Sequence, residues 1–286
     1  MKQFKISAKN LAQLNMPNTC LCCFSNLMKL HHKTPFNIFP SIFSTFDSLQ
    51  KQLVESTLEE TGKLPKWLGE MAGATGLAES PARLEYVHQG NNIVLVGVPD
   101  HVLQWKDETV SPIDYKTSRY SKGQDSLKPL YEAQLDAYSY LLDKKCAMES
   151  DRGALVYFEP TGAETMVLTD QGYTQPWKVS VCLIDVSGET TLRLLDQARE
   201  IYEQKVAPDG RAECLDCELL EKMAAVAKSH NLKAADALRF MTPRERALYV
   251  AEANYRKSTA HLGSASSTDT VPEMESSLLL AWDWKE

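Results

Sequence analysis

Two short apolar runs near the centre of the chain each lead into an acidic residue. Residues 93–96 are rich in β-branched side chains and precede a turn that ends in Asp100, whereas residues 110–115 contain Asp114. Residues 82–106 have the alternation and the turn residues of a β-hairpin, and residues 110–115 suit a further short strand. Because these elements follow one another closely, we expect neighbouring strands to bring Asp100 and Asp114 together.

The rest of the central region alternates between helical and strand patterns. Apolar spacing predicts helices over residues 45–61, 129–142 and 189–205, and strand patterns occur over residues 153–158 and 179–186. This alternation predicts an α/β fold in which a central mixed β-sheet is flanked by helices.

The N-terminal third gives weaker local signals. Residues 7–14 suit a short helix, residues 24–45 suit irregular chain, and Pro65 begins a loop. Gly62 supplies a stop for the 45–61 helix. Three apolar residues recur at helical spacing in that helix: Phe46, Leu49 and Leu53.

The composition changes after Cys217 and suggests a domain boundary. We expect residues 1–217 to form the main domain, with a core at about residues 45–205, and residues 218–286 to form a helical extension. Its small, polar stretch near the end is typical of partial disorder. The apolar and aromatic residues 278–284 could dock a protein partner or pack back onto the body.

Charge and hydropathy narrow the function classes. The 286 residues carry a net charge of −7, which argues against a protein that coats nucleic acid nonspecifically. No apolar run reaches the ~20 residues that span a bilayer, and the first residues lack a secretory signal. We therefore expect a cytosolic protein that does not associate with a membrane. One local cluster is basic and suits either a DNA-facing groove or a solvated loop: Lys116, Arg119, Lys122 and Lys128.

The residues around the two acids have the chemistry of a divalent-metal site. Asp114 and Lys116 are two positions apart, so they point to one face of a strand. Carboxylates hold a hard cation through oxygen, and such a cation polarises a phosphate and lowers the pKa of a bound water. The lysine can steady developing negative charge. An exposed ion pair on an edge strand is the alternative interpretation.

Three motifs occur in order here: Gly97-Val98-Pro99-Asp100, then Ile113-Asp114-Tyr115-Lys116, then Gln134-Leu135-Asp136-Ala137-Tyr138. This set resembles the PD-(D/E)XK nuclease superfamily, and most closely its RecB-type branch, which includes CRISPR-associated exonucleases with an iron–sulfur cluster. The resemblance implies a restriction-endonuclease-like fold and a metal-dependent DNA exonuclease. It also implies a role in DNA repair, recombination, or phage- or CRISPR-type DNA processing, in the cytoplasm of a cell or of a phage host.

The resemblance also implies roles for individual residues. Asp100 and Asp114 would ligate Mg²⁺ or Mn²⁺, the carbonyl of Tyr115 would complete the protein side of the metal shell, and Lys116 would position the attacking water. Two residues on one helical face would brace the site or contact the DNA backbone: Gln134 and Tyr138. The family often adds an acid or histidine from the preceding helix, and three glutamates compete for that role: Glu55, Glu59 and Glu60. His88 in the hairpin is a rival, although a lone histidine beside a turn is more often merely exposed. Helical geometry places Glu60 nearest the face that carries Phe46 and Leu53.

Cysteine pairs stand near both ends of the predicted domain. Cys20 and Cys23 have the same spacing as Cys214 and Cys217, and four thiolates close a tetrahedral zinc site or hold a [4Fe–4S] cluster. RecB-type nucleases with a cluster usually have one early and three late cysteines, so this chain departs from the pattern. Unpaired buried thiols are the alternative. Two other cysteines stand alone and suit packing: Cys146 and Cys182.

A second functional hypothesis is a catalytically silent DNA-binding or assembly subunit on the same fold. The intact set of Asp100, Asp114 and Lys116 argues against it, because a scaffold has no need of these residues. A protein-interaction role for residues 218–286 is compatible with either hypothesis.

Overall fold

The computed structural model describes residues 1–29, 40–120 and 126–229. Its α-helices are α1 (Ala8–Ala12), α2 (Leu21–Lys29), α3 (Ser41–Thr61), α4 (Lys128–Cys146), α5 (Glu189–Glu203) and α6 (Leu215–Ser229). Its strands are β1 (Phe4–Ser7), β2 (Gly76–Leu77), β3 (Leu84–His88), β4 (Ile93–Gly97), β5 (His101–Gln104), β6 (Val110–Lys116), β7 (Arg152–Pro160), β8 (Val167–Thr169), β9 (Gly172–Thr174) and β10 (Trp177–Asp185). Short 3₁₀ helices lie at Gln13–Asn15, Lys66–Gly73 and Ala163–Thr165.

The largest sheet is mixed and has the strand order β10-β7-β6-β5-β2. Strands β6 and β7 are parallel, and their neighbours in the sheet are antiparallel. A smaller sheet has the order β1-β4-β3, and β8 and β9 form a separate hairpin. The expectation of an α/β fold with a mixed sheet and flanking helices is confirmed.

Other elements cover both faces of the large sheet. Strand β7 requires this, because its side chains are apolar on both sides and have to be buried. Leu155 and Tyr157 belong to a core that α1, α2, α4 and α5 share with the smaller sheet. Val156 and Phe158 face the opposite side, in a second core that includes Val54 of α3. Helices therefore lie on either side of β6, the strand that carries Asp114.

Helix α4 is the central helix of the fold and explains why a glycine precedes Asp100. The helix packs against strands of both sheets, and its middle turns are buried all round. A Cβ atom added at Gly97 would lie 2.6 Å from Leu141 Cδ1 and 2.9 Å from Tyr138 Cδ1. Glycine thus allows the end of β4 to approach α4 closely, which fixes where the chain turns towards β5.

Three local expectations were wrong. Residues 21–29 form helix α2 rather than irregular chain, because Phe24 and Met28 share one buried helical face. Lys66–Gly73 is a 3₁₀ helix that buries Leu68, where a loop was expected.

The third error concerns the face of α3. Its end at Gly62, in the left-handed region with φ 66°, agrees with the expectation, whereas its start at Ser41 is four residues earlier than expected. However, Leu49 and Leu53 are 53% and 49% exposed, whereas Val54 is fully buried. The side of the helix that faces the sheet therefore carries Gln50 and Val54, and not Leu49 and Leu53 as the apolar spacing suggested.

The chain divides into two compact units, Met1–Glu218 and Leu219–Glu286. Most of the expected helical extension and its tail, including residues 278–284, lies outside the described residues. Within the described residues, no helix is both long and apolar enough to cross a membrane.

Candidate active site

Asp100 and Asp114 lie opposite each other on the antiparallel pair β5–β6. His101 pairs with Ile113, so Asp100, one position earlier, stands across from Asp114 and on the same face of the sheet. The Asp100 amide donates to the Ile113 carbonyl across 3.0 Å. The Tyr115 amide in turn donates to Asp100 Oδ2 across 2.6 Å, which holds the Asp100 carboxylate against β6.

The Asp114 carboxylate is buried and only partly satisfied. Its Oδ1 accepts a hydrogen bond of 3.0 Å from Gln134 Nε2. Its Oδ2 is fully buried, and the Lys116 ammonium lies against it in an ion pair. Burial raises the pKa of the Asp114 carboxyl to about 6, against the opposing effect of Lys116, and the nearby charge of Asp100 adds to the rise.

Lys116 and Gln134 complete a buried polar network above β6. The Lys116 Nζ lies 3.5 Å from Gln134 Oε1 and 4.1 Å from the centre of the Tyr131 ring. Gln134 Nε2 also donates to the Tyr138 hydroxyl across 2.7 Å. Burial, with the charge of Asp114 as the next cause, holds the pKa of Tyr138 well above its usual value, so the hydroxyl stays protonated. The structure thus joins Asp114, Lys116, Gln134 and Tyr138 in one network.

Helix α3 adds two charged residues that the sequence did not single out. Lys51 Nζ lies 2.8 Å from Asp100 Oδ1 and 2.8 Å from Asp47 Oδ2. Burial lowers the pKa of the Lys51 ammonium, but the charges and hydrogen bonds of Asp100 and Asp47 together outweigh this effect, so the pKa lies above its usual value. The i,i+4 spacing of Asp47 and Lys51 is visible in the sequence, yet nothing there connects this pair to Asp100.

The three glutamates considered as a helix-borne ligand lie in different surroundings. Glu55 Oε1 is 3.1 Å from His101 Nε2, and His101 Nδ1 is 2.7 Å from the Tyr115 hydroxyl. This chain of contacts lies on the face of β6 opposite Asp114, because neighbouring strand residues alternate. Glu59 and Glu60 are exposed. A third carboxylate does approach Asp100 through Lys51, and it belongs to Asp47.

The residues around Asp100 and Asp114 fit a divalent cation. They offer hard carboxylate oxygens, which Mg²⁺ and Mn²⁺ prefer. One of these oxygens, Asp114 Oδ2, is buried and carries negative charge next to the Lys116 ammonium. Both carboxylates already attract positive charge, since Lys51 pairs with Asp100 and Lys116 pairs with Asp114.

The basic cluster is largely paired with acids. Arg119 Nε lies 3.0 Å from Glu159, and Lys128 Nζ lies 3.1 Å from Glu132. Lys122 lies outside the described residues. Exposed pairs of this kind contribute little to stability.

The family model for the PD-(D/E)XK nuclease superfamily matches residues 31–222, about two thirds of the chain. The chain belongs to the PD-(D/E)XK nuclease superfamily. No curated protein matches this nuclease.

The solved structures to which this chain is similar include two exonucleases. A phage-related exonuclease from Haemophilus somnus 129PT has 14% sequence identity, covers 70% of this chain and 94% of its own, and gives a TM-score of 0.44. LHK-Exo in complex with dAMP has 13% identity, covers 79% of this chain and 93% of its own, and gives a TM-score of 0.34.

The nuclease also gathers four cysteines from the two ends of its described domain. The Sγ atoms of Cys20, Cys23, Cys214 and Cys217 all lie within 4.8 Å of one another. Cys20 and Cys23 are 3.5 Å from Cys217, and Cys23 is 3.6 Å from Cys214. The structure therefore brings together the two pairs that the sequence singled out.

Each cysteine pair stands at the start of a helix. Cys20 precedes α2 and Cys214 precedes α6, so the second cysteine of each pair lies in a first helical turn. The Arg211 amide donates to Cys20 Sγ across 3.3 Å. Burial raises the pKa of the Cys20 thiol, but this amide and the neighbouring thiols outweigh it and lower the pKa to about 6. Burial and the neighbouring thiols raise the pKa of Cys23 instead. A metal that binds here would therefore displace a proton from that thiol, because cysteine ligands are deprotonated.

The thiolate spacing fits a metal. Four sulfurs around one tetrahedral zinc ion are separated by ~3.8 Å, given a Zn–S distance of about 2.3 Å. The contacts of 3.5 and 3.6 Å are close to this edge length. Four cysteine thiolates also form the ligand set of an iron–sulfur cluster.

Proposed function

We propose that this nuclease is a divalent-metal-dependent deoxyribonuclease of RecB type, acting as an exonuclease that hydrolyses phosphodiester bonds. The observation that carries the proposal is the placement of Asp100 opposite Asp114, with the Lys116 ammonium against a buried Asp114 oxygen. Two hard ligands and one ammonium on one sheet face suit an anionic phosphodiester.

Each residue has a role in this proposal. Asp100 and Asp114 would hold Mg²⁺ or Mn²⁺, and the Tyr115 carbonyl would be a further ligand. When bound, the cation polarises the scissile phosphate and lowers the pKa of a water. Lys116 holds the attacking water or the charge that develops on the phosphate. Gln134 orients Asp114, and Tyr138 supports Gln134 from the helix.

DNA as the substrate class follows from membership of the family, whereas exonuclease action follows from the RecB-type motif resemblance. The same resemblance supports a role in DNA repair, recombination, or phage- or CRISPR-type DNA processing, and a cytoplasmic location. A protein partner for residues 218–286 remains a proposal.

The direct experiment is cleavage of single- and double-stranded DNA labelled at the 5′ or the 3′ end, with Mg²⁺, Mn²⁺ or a chelator. We expect wild-type cleavage only with a divalent cation, with label released progressively from ends. Asp114→Asn and Lys116→Met should each lower the rate by at least ~10²-fold, as loss of a preorganised charge typically does.

The matched control for Asp114 is Asp143→Asn, because Asp143 is an exposed α4 acid in an ion pair with Lys144. This variant should cleave like wild type. Equal cleavage by all variants would reject the assigned site, and no metal-dependent cleavage by any of them would favour the silent-subunit hypothesis. Covalently closed circular DNA should resist an exonuclease, so its cleavage would reject that part of the proposal.

We further propose that Cys20, Cys23, Cys214 and Cys217 hold a structural metal, with the observed spacing favouring one zinc ion over a [4Fe–4S] cluster. Such a metal would join distant parts of the chain and stabilise the fold. Anaerobic purification followed by metal analysis and a visible spectrum decides the point. One zinc per chain and a colourless protein are expected, whereas about four irons per chain and a brown colour would show the cluster instead.

A further inference from the structure

Lys51 is a second ammonium group at the candidate metal site, outside the Asp-x-Lys motif. Its Nζ lies 2.8 Å from Asp100 Oδ1, and its side chain is 28% exposed. Asp47, one helical turn earlier on α3, holds the same ammonium across 2.8 Å. The lysine therefore has two carboxylate partners, of which only Asp100 is a proposed metal ligand.

The two oxygens of Asp100 are not equivalent. Oδ2 accepts the 2.6 Å hydrogen bond from the Tyr115 amide, which fixes the carboxylate on β6. Oδ1 points to Lys51. A metal ion that binds Asp100 most readily uses Oδ1, because that bond does not require the backbone contact to break.

A divalent cation on Oδ1 and the Lys51 ammonium cannot occupy the same place. Two positive charges at contact distance repel strongly in a partly buried site. Lys51 has a flexible four-carbon stem, and Asp47 keeps it close to the site when Asp100 is taken by a metal. The displaced ammonium would then stand beside the cation, within reach of an anionic phosphodiester held at the site.

We propose that Lys51 is an exchangeable counter-ion: it neutralises Asp100 in the metal-free enzyme and moves to a DNA phosphate when a divalent cation binds. This inference rests on the proposed function, since it requires a metal at Asp100 and DNA as the substrate. It assigns Lys51 to the phosphate adjacent to the scissile one, leaving Lys116 for the scissile phosphate.

A purely structural ion pair between Lys51 of α3 and Asp100, the residue before β5, would change metal affinity in the opposite direction when it is removed. If Lys51 competes with the metal for Asp100, removing it tightens metal binding. If Lys51 only positions Asp100, removing it loosens the ligand and weakens metal binding. The sign of the change in metal affinity therefore separates the two roles without reference to catalysis.

The experiment is calorimetric titration of the full chain with Mn²⁺, before and after Lys51→Met. We expect the Kd for Mn²⁺ to fall by about threefold to thirtyfold in the variant, while kcat/KM on DNA falls by about tenfold or more. The salt dependence of KM should also lose about one unit of slope, because one phosphate contact is gone. Lys51→Arg should recover most of the DNA effect, since it keeps the charge.

Three controls keep the failures distinct. Lys144→Met removes an exposed lysine that pairs with Asp143 and should change neither quantity. In an Asp100→Asn background, Lys51→Met should have no further effect on Mn²⁺ affinity. Lys51→Gln serves as a second variant, and thermal unfolding of each protein shows that it is folded.

An absence of Mn²⁺ binding at the site of the wild-type protein would reject the proposed function itself. If the wild type binds Mn²⁺ and the Lys51→Met variant binds it with equal or weaker affinity, the counter-ion inference alone is overturned. Tighter Mn²⁺ binding with an unchanged kcat/KM would overturn the transfer of Lys51 to DNA.

Discussion

Gln134 Nε2 donates a hydrogen bond of 3.0 Å to Asp114 Oδ1 in the buried space between α4 and β6. The same nitrogen donates to the Tyr138 hydroxyl, and the amide oxygen lies 3.5 Å from Lys116 Nζ. One amide side chain therefore connects the helix to both the acid and the lysine of the Asp-x-Lys strand.

Replacing this amide should damage both stability and cleavage. Gln134→Leu leaves Asp114 Oδ1 buried without a donor, which should lower the free energy of unfolding by about 1–3 kcal/mol. The cleavage rate should fall by about tenfold or more, because Asp114 loses its orientation. Urea unfolding and the end-label assay measure the two effects. Gln52→Leu, on the exposed surface of α3, is the control, and indistinguishable behaviour of the two variants would contradict the assigned role.

The raised pKa of Asp114 should make the metal-free protein sensitive to pH. The carboxyl has a pKa of about 6 in the folded protein and about 3.9 in an unfolded chain. The folded state thus holds the proton more tightly, and stability is lost as the pH rises from about 4 through 6. Asp114→Asn should therefore be more stable than wild type by about 3 kcal/mol at pH 8, with the difference shrinking below pH 5.

Urea unfolding of chelator-treated protein between pH 4.5 and 8 tests this expectation. Addition of Mg²⁺ at pH 8 should stabilise wild type and leave Asp114→Asn unchanged. A stability difference that is the same at every pH would show that Asp114 ionises normally.

Gly97 should not tolerate even one added carbon. Gly97→Ala places a Cβ atom 2.6 Å from Leu141 Cδ1 and 2.9 Å from Tyr138 Cδ1, so α4 must shift and unfolding should become easier by about 1–3 kcal/mol. Because α4 carries Gln134, cleavage should fall as well. Gly76→Ala, where a Cβ has nothing within 4 Å, should retain near-wild-type stability and activity. Equal Tm values for Gly97→Ala and Gly76→Ala would refute the close packing of β4 against α4.

Asp136 stabilises the start of α5 from the middle of α4. Its Oδ1 accepts from the Ser187 and Gly188 amides at 3.0 and 2.8 Å, and its Oδ2 accepts from the Thr191 amide at 2.8 Å. Asp136→Ala leaves the buried Gly188 and Thr191 amides without a partner and should cost about 3–5 kcal/mol. Asp143→Ala at the exposed end of α4 is the control. Chemical denaturation would contradict the capping role if the two variants unfolded at the same midpoint.

The four-cysteine cluster should make stability depend on a metal. Cys217→Ser, or treatment with a strong chelator, should lower Tm by about 10 °C, because a metal that binds only the folded chain stabilises it. Cys182→Ser, outside the cluster, should keep both Tm and metal content. Unchanged Tm after complete metal removal would show that the thiols do not hold a structural ion.

The sequence could predict the central motif because its spacing is local. Asp114 and Lys116 share a strand face by period two, and Gln134 and Tyr138 share a helix face by i,i+4 spacing. These geometries follow from the backbone alone. The cysteine pairs were visible for the same reason, although their spacing could not show that the two pairs would meet.

The α3 residues show where local reasoning fails. Phe46, Leu49 and Leu53 form an apolar stripe, yet the helix buries Val54 and directs Lys51 and other polar residues towards the strands. Burial of one well-fitting side chain and contacts with β5 decided the rotation of the helix. No pattern within the helix contains that information.

The sequence by itself determined the main strands and helices between residues 82 and 205, the α/β class and the chemical identity of Asp100, Asp114 and Lys116, because strand and helix periodicities are properties of neighbouring residues. Only the tertiary structure decided that Lys51 and Asp47 join these residues and that Glu59 and Glu60 remain exposed. Those outcomes depend on how α3 packs across the sheet, which is set by contacts between residues far apart in the chain.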